Sequence, residues 1–273
     1  MSDKKFTNTD FIVTHDKETL ESQADLLLEI IKSKDTIKQK GLGTLGEIFE
    51  KLSTNKLALF RTTKESNIIH QIWVSNAIKT AEEVAIKHGL KLPQNRLSKD
   101  CLISIAQMSR KLATLDEIKE FLLERGIILI VEEYIPASRI DGAAFKIFDN
   151  IPVATISLRY RRIDSIWFTL LHELSHILLH FDEIDRPIID DLDEVPTDKI
   201  ERQANLQAKF SIISKDEWRS CKARATRRSE DVLHHANRLG IHPALLAGLI
   251  RFDQNNYKLF NDIIYMDDIE RIL

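Results

Sequence analysis

The feature that most restricts the fold is the run from Ser165 to His180. Ile166, Trp167, Phe168, Leu170, Leu171, Leu174, Ile177 and Leu178 recur in it so densely that a helix built from them is apolar on most sides. Such a helix belongs inside a core, walled by other elements. The same run carries His172, Glu173 and His176, and ionisable groups on a buried helix are costly unless something pairs or coordinates them. The chain must therefore fold around this helix and also supply those three side chains with a reason to be there.

Two histidines four apart on a helix are separated by ~400° at 100° per residue, so His172 and His176 leave nearly the same face, one turn apart. They are placed to grip one metal ion. Glu173 leaves in a neighbouring direction, toward a water beside the metal rather than the metal itself. This is the mechanical content of the His-Glu-x-x-His pattern, in which zinc lowers the pKa of water toward ~7 and a carboxylate finishes activating it. The bland alternative is a chance match with hydrogen-bonded histidines, and the apolar surroundings argue against it. Zinc hydrolases keep three protein ligands and an open position, so a third ligand is expected downstream on another element. Glu201 stands in a helical stretch, Thr197 to Ser211, that could pack across the first helix. Spacing alone leaves Asp190, Asp191, Asp193 and Glu194 open beside it. His180 continues the four-residue ladder, but two turns place it ~11 Å from His172, too far to complete a tetrahedron. It is expected to pack against the site or support it.

Only 8 Gly and 6 Pro occur in 273 residues, so long helices should dominate. Helical spacing covers residues 18–40, 67–89 and 98–112. Thr114-Leu115-Asp116-Glu117 has the form of a capping box that opens a helix ended by Gly126. Ile127 to Val131 reads as a buried strand, and Ala143 to Phe148 with Val153 to Leu158 as a hairpin turning near Asp149-Asn150. The segment Val153 to Leu158 is expected to offer an exposed sheet edge to an extended substrate. The motif helix should run from about Ser165 to His180, capped by Asp164 or Ser165. Later helices should start at Thr197, Ser214 and Ser229, with Pro243 as a first helical residue. The expected fold class is α+β and mostly helical: a small sheet packed on the motif-bearing helix, with a helical amino-terminal flank.

Polar residues 62–67 suggest a boundary between a flank at 1–66 and a domain at 67–273. The flank holds 11 Lys or Arg and 11 Asp or Glu. Leu45 to Leu57 has a faint helix-turn-helix look, but it lacks a turn glycine and the phosphate-seeking charge. The whole chain carries a formal net charge of -3, so direct nucleic-acid binding is not expected. Two cysteines, Cys101 and Cys221, make neither a disulfide framework nor a metal knuckle. The amino end lacks the apolar core of a secretory signal, and no run reaches the ~18 apolar residues of a membrane span. These features together predict a soluble cytoplasmic protein. Arg159-Tyr160-Arg161-Arg162 reads as a polar loop, with a substrate-carboxylate anchor or an oxyanion donor at Tyr160 as the functional alternative. Lys222, Arg224, Arg227 and Arg228 read as a solvated helix end rather than a phosphate site, and His234, His235 or His242 could approach the site as an oxyanion donor.

Several collinear segments then point to a family: Asp141 to Phe145, Ile163 to Glu173, Ile189 to Leu192, Glu201-Arg202-Gln203-Ala204-Asn205, and Ile241 to Gly248. Together they resemble the ImmA/IrrE family of metallopeptidases, closest to the branch fused to or encoded beside HigA-type antitoxin regulators, over roughly residues 70–262. The resemblance implies a gluzincin-like site in which His172, His176 and Glu201 hold zinc and Glu173 is the general base. It implies that Glu201 matters more to zinc binding than Asp190 or Asp191. It also implies a protein partner, a helix-turn-helix repressor or a toxin-antitoxin component, that the chain cleaves or acts on to relieve repression. The alternative within the same resemblance is a non-catalytic antitoxin or transcriptional regulator that uses the fold for partner binding.

Overall fold

The computed structural model describes residues 27–28, 30–54, 68–90, 97–136, 138–148, 150–184, 187–192 and 199–273. The chain divides into two compact units, Met1–Ser75 and Asn76–Leu273. The polar stretch 62–67 lies outside the described residues. In the first unit, α1 (Lys34–Gln39) is followed by α2 (Leu45–Thr54). Thr44 and Glu47 cap α2 reciprocally, Thr44 N donating to Glu47 Oε2 at 2.7 Å and Glu47 N to Thr44 Oγ1 at 3.2 Å. Any second helix of a helix-turn-helix after α2 falls outside the described residues. Next comes α3 (Ile68–His88).

The second unit is α+β and mostly helical. It opens with the remainder of α3 from Asn76, followed by α4 (Lys99–Met108) and α5 (Leu115–Leu123), whose capping box between Thr114 and Glu117 is formed in both directions. Strands β1 (Ile128–Glu132), β2 (Gly142–Ile147) and β3 (Ile151–Ser157) lead into α6 (Ile163–His180), then β4 (Ile188–Asp190) and α7 (Lys199–Ile212). The chain ends with α8 (Lys215–Arg219), α9 (Ala223–Thr226), α10 (Ser229–Leu239), α11 (Pro243–Asp253) and α12 (Asn261–Ile264). Ser214 accepts from Glu217 N to cap α8, and Pro243 occupies the first turn of α11 behind His242, whose Nδ1 accepts from Ala244 N. Thr197, the expected start of α7, lies outside the described residues.

The sheet runs β1-β3-β2-β4. β2 and β3 form the expected antiparallel hairpin, with Ala144 opposite Ala154, while β1 joins the far side of β3 in parallel, Ile128 opposite Val153. This corrects the edge assigned to Val153–Leu158. With β1 on one flank and β2 on the other, β3 is interior, and all seven of its residues are buried. Among the described residues the edges are β1 and β4, and β4 pairs only with β2.

Helix α6 packs on β2 and β3 on one side and on α4, α7 and α11 on the others. Its caps also differ from expectation. The helix begins at Ile163 behind an extended Arg162, with no side-chain cap. Arg162 Nε donates to Asp164 Oδ1 at 3.0 Å and its Nη2 to Ser165 Oγ at 2.7 Å, so the two expected caps satisfy a guanidinium instead. Asp164 is nevertheless well placed in the first turn, where the helix dipole favours an acid. Among the described residues no helix is long and apolar enough to cross a membrane.

Close approach of α11 to α6 depends on Gly248, since a Cβ there would stand 2.8 Å from Asp164 Cβ. Gly248→Ala should therefore overpack this contact and destabilise the fold by about 1–3 kcal/mol. Urea denaturation of the variant against wild type reads the difference.

Candidate metal centre

Helix α6 carries its polar residues into full burial: His172, Glu173 and His176 are each 0% exposed. The expected geometry of the pair is present, with the two Nε2 atoms 3.0 Å apart. Two carboxylates from other elements meet them. Glu201, in the first turn of α7, brings Oε2 to 3.3 Å from His172 Nε2 and Oε1 to 3.5 Å from His176 Nε2. Asp190, the last residue of β4, brings Oδ2 to 3.2 Å and 3.5 Å from the same two nitrogens. One ligand atom from each of the four residues lies within 4.8 Å of every other.

These separations can be tested against an ion. Four N or O donors at ~2.0–2.1 Å from a tetrahedral zinc stand ~3.3–3.4 Å from one another. The five distances above, 3.0 to 3.5 Å, bracket that edge. The donor set of two imidazoles and two carboxylates is also the chemistry of such sites, so His172, His176, Asp190 and Glu201 could hold a metal ion.

The residues around the four explain how they are aimed. His172 Nδ1 lies 3.1 Å from Asn205 Oδ1. The amide oxygen can only accept, which puts the imidazole proton on Nδ1 and leaves the Nε2 lone pair for a cation. Glu201 and Asn205 are four apart on α7 and therefore share a face. Ala204 and Ala208, both 0% exposed, sit on the same side and let α7 lie close to α6. Glu173 is packed against β2, where a Cβ on Gly142 would fall 2.1 Å from Glu173 Oε1. Only glycine leaves room for that carboxylate, whose two oxygens make no hydrogen bond.

The electrostatics follow from crowding charged groups in a dry site. Burial, and then the charge of Asp190, push Glu173 well above the usual carboxylate range. Burial pushes the Asp190 carboxyl up, but the two imidazoles outweigh it and hold Asp190 well below its usual range. For His176, burial opposes the charged form while Asp190 and Glu201 favour it, and the carboxylates win, raising the imidazole to about 9.

His180 stays out of the cluster as expected, its ring 5.9 Å from that of His176. Burial and the charge of His176 lower its pKa. Asp191 faces the other way, paired with Arg139 at 2.8 Å and Arg159 at 3.0 Å, and Asp193 and Glu194 lie outside the described residues. The loop arginines are engaged within the chain: Arg159 with Asp141 at 3.1 Å, Arg161 with Glu270 at 2.6 Å, Arg162 with Asp164 at 3.0 Å. His242 pairs with Asp267 and His235 with Glu217, His234 is exposed, and none joins the cluster. In the basic cluster, Arg224 pairs with Asp253 at 3.1 Å and Arg228 with Glu230 at 3.5 Å, consistent with a structural helix end.

Beside the centre lies a cavity of about 350 Å³, walled by Phe168, Leu192, Leu245, Leu249 and Phe252 and reaching Asn205. Sequence reasoning weighed Asp190 only as an alternative to Glu201, and it assigned no role to Asn205 or Gly142.

Residues 159–246, which contain all four donors and the two helices and one strand that carry them, match the family described as the IrrE N-terminal-like domain, a peptidase family. Over that stretch, about a third of its length, the chain is similar to the ImmA/IrrE metallopeptidases. A search of curated proteins finds no match to it.

Two predictions follow from the geometry. An imidazole must be neutral to bind a metal, whereas His176 in the metal-free protein loses its proton only near pH 9. Metal uptake at pH 7 should release roughly one proton or more per ion, and apparent affinity should rise with pH through about 9. Calorimetry in buffers of different ionisation enthalpy measures the release. Asn205→Ala, which removes the partner of His172 Nδ1, should weaken metal binding by ~10–100-fold, read by competition with a chelator.

Proposed function

We propose that this chain is a cytoplasmic zinc-dependent endopeptidase that cleaves or acts on a helix-turn-helix repressor or similar regulatory protein. In doing so it relieves repression in a stress, mobile-element or toxin-antitoxin setting, in the manner of the HigA-associated branch. The observation that carries this reading is the convergence of His172, His176 and Glu201 on one point, with the hydrogen-bond-free carboxylate of Glu173 buried beside it.

In this reading His172, His176 and Glu201 hold zinc. Zinc bound there supplies Lewis acidity, polarising a carbonyl and acidifying water toward pKa ~7. Glu173 is the general base: it takes the proton from the attacking water and passes it to the leaving amine. Gly142 supports that role by leaving the Glu173 carboxylate room beside β2, and Asn205 supports it by fixing the tautomer of His172. The cavity, whose apolar wall faces the charged groups of Arg162, Asp164 and Arg251, receives a substrate side chain next to the scissile bond. An extended segment runs along β4, the sheet edge that ends at the cluster, rather than along the interior β3.

A second reading is supported by one observation. Asp190 lies as near the two imidazoles as Glu201 does, and a centre with four protein donors is the arrangement of structural zinc sites. That favours a non-catalytic antitoxin or regulator that binds its partner through this fold.

The two readings separate at Glu173→Gln. This variant should keep its zinc and its fold, because the carboxylate is not a ligand, and lose all cleavage of a panel of helix-turn-helix repressors from the same genome. Equal relief of repression by the variant and wild type would establish the non-catalytic role.

A further inference from the structure

Resting on the metal reading above, we propose that Asp190 is a fourth protein ligand that closes the centre in the resting chain, and that Arg159 is the positioning residue that keeps it there.

A carboxylate that drifts near a metal site from a loose loop would mean little, but Asp190 is built in. Its side chain is 5% exposed, and Oδ2 stands 3.2 Å from His172 Nε2 and 3.5 Å from His176 Nε2. Burying an ionised oxygen this way is costly unless an imidazolium or a metal ion takes the lone pair. The backbone holds it from behind. Asp190 pairs with Gly142 in the β2–β4 ladder, and its carbonyl accepts from Asp141 N at 2.8 Å.

The residues that follow are tied down as well. Arg159 Nη1 bridges Asp141 Oδ2 at 3.1 Å and Asp191 Oδ1 at 3.0 Å. Leu192 N donates to the same Asp141 Oδ2 at 2.8 Å, and Arg139 grips Asp191 from the other side at 2.8 Å. With its side chain 11% exposed, Arg159 is largely shielded from solvent. The clamp fixes the carboxyl end of β4, and with it the direction of Asp190.

The consequence is chemical. Hydrolytic zinc sites keep three protein donors and leave one position for water or substrate. Here His172, His176, Glu201 and Asp190 fill all four, so the resting centre excludes outside ligands. Asp190 must swing away from the imidazoles before water or a peptide carbonyl can take its place. No bond is made or broken in that step beyond exchange of one carboxylate for one neutral ligand.

The test uses the full chain loaded with cobalt(II), whose visible absorption reports its ligands, and acetohydroxamate as the outside ligand. Wild type should bind about one cobalt per chain and show no spectral response to the probe. Asp190→Ala and the isosteric Asp190→Asn should respond, with the probe binding at least ~10-fold more tightly than to wild type. Both should also release cobalt to a chelator at least as readily as the ~10-fold loss typical of an outer partner. Arg159→Ala, which leaves all four donors in place, should respond to an intermediate degree.

A wild-type spectrum that responds to acetohydroxamate as strongly as Asp190→Asn, with equal cobalt affinity, overturns the proposal. Failure of wild type to take up cobalt at all overturns the metal reading on which the proposal rests. A response in Asp190→Asn but not in Arg159→Ala keeps the closing ligand and removes the clamp.

Discussion

Two imidazoles and two carboxylates, all but Glu201 almost fully buried, meet around one point. Four such groups cannot share a dry space as they stand. Either protons or a cation must settle the lone pairs, and breaking a buried charged set by removing one member is strongly destabilising. The surrounding structure serves this requirement. Helix α6 is walled by β2, β3, α4, α7 and α11, which keeps water from competing for the donors. Ala204 and Ala208 thin the contact face of α7 so that Glu201 and Asn205 reach the histidines. Gly142 removes one side chain so that Glu173 fits beside them.

Much of this was legible in the sequence, for identifiable reasons. Helix α6 announces itself because an apolar run that long has no other stable home, and the spacing of His172 and His176 is a local property that tertiary packing does not alter. The Thr114–Glu117 box and the Pro243 start are likewise set by neighbouring residues. What failed was non-local. Val153 to Leu158 reads correctly as one arm of a hairpin, but a strand's own residues do not say which strands flank it. The parallel partner β1 precedes it by some twenty residues and turns the supposed edge into the middle of the sheet. The start of α6 was misassigned because Asp164 and Ser165 look like caps until Arg162 is seen to occupy both side chains.

The centre was legible in proportion to its local part. The histidines and Glu173 lie within one turn and a half of helix, while Glu201 needed the Ala204-Asn205 context to stand out from its acidic neighbours. Asp190 was obscured by company: β4 has only three residues, too few for alternation to show which acid points inward, and Asp191 beside it serves Arg139 and Arg159 instead. Arg159 itself looks like a loop residue awaiting a ligand, because its partners Asp141 and Asp191 lie 18 and 32 positions away.

The donors also come from three separate pieces of chain: α6, β4 and α7. An ion held by all of them would act as a cross-link, fastening the sheet edge and two helices that also meet through packing and the His172–Asn205 hydrogen bond. Binding of this kind favours the folded state by mass action, adding about 2.7 kcal/mol when free metal stands 100-fold above the dissociation constant. That is a large fraction of the stability of an ordinary domain. With an ion bound there, the survival of this chain against cellular proteases would follow the metal supply of its compartment, and starvation for the ion would lower its abundance as well as its chemistry.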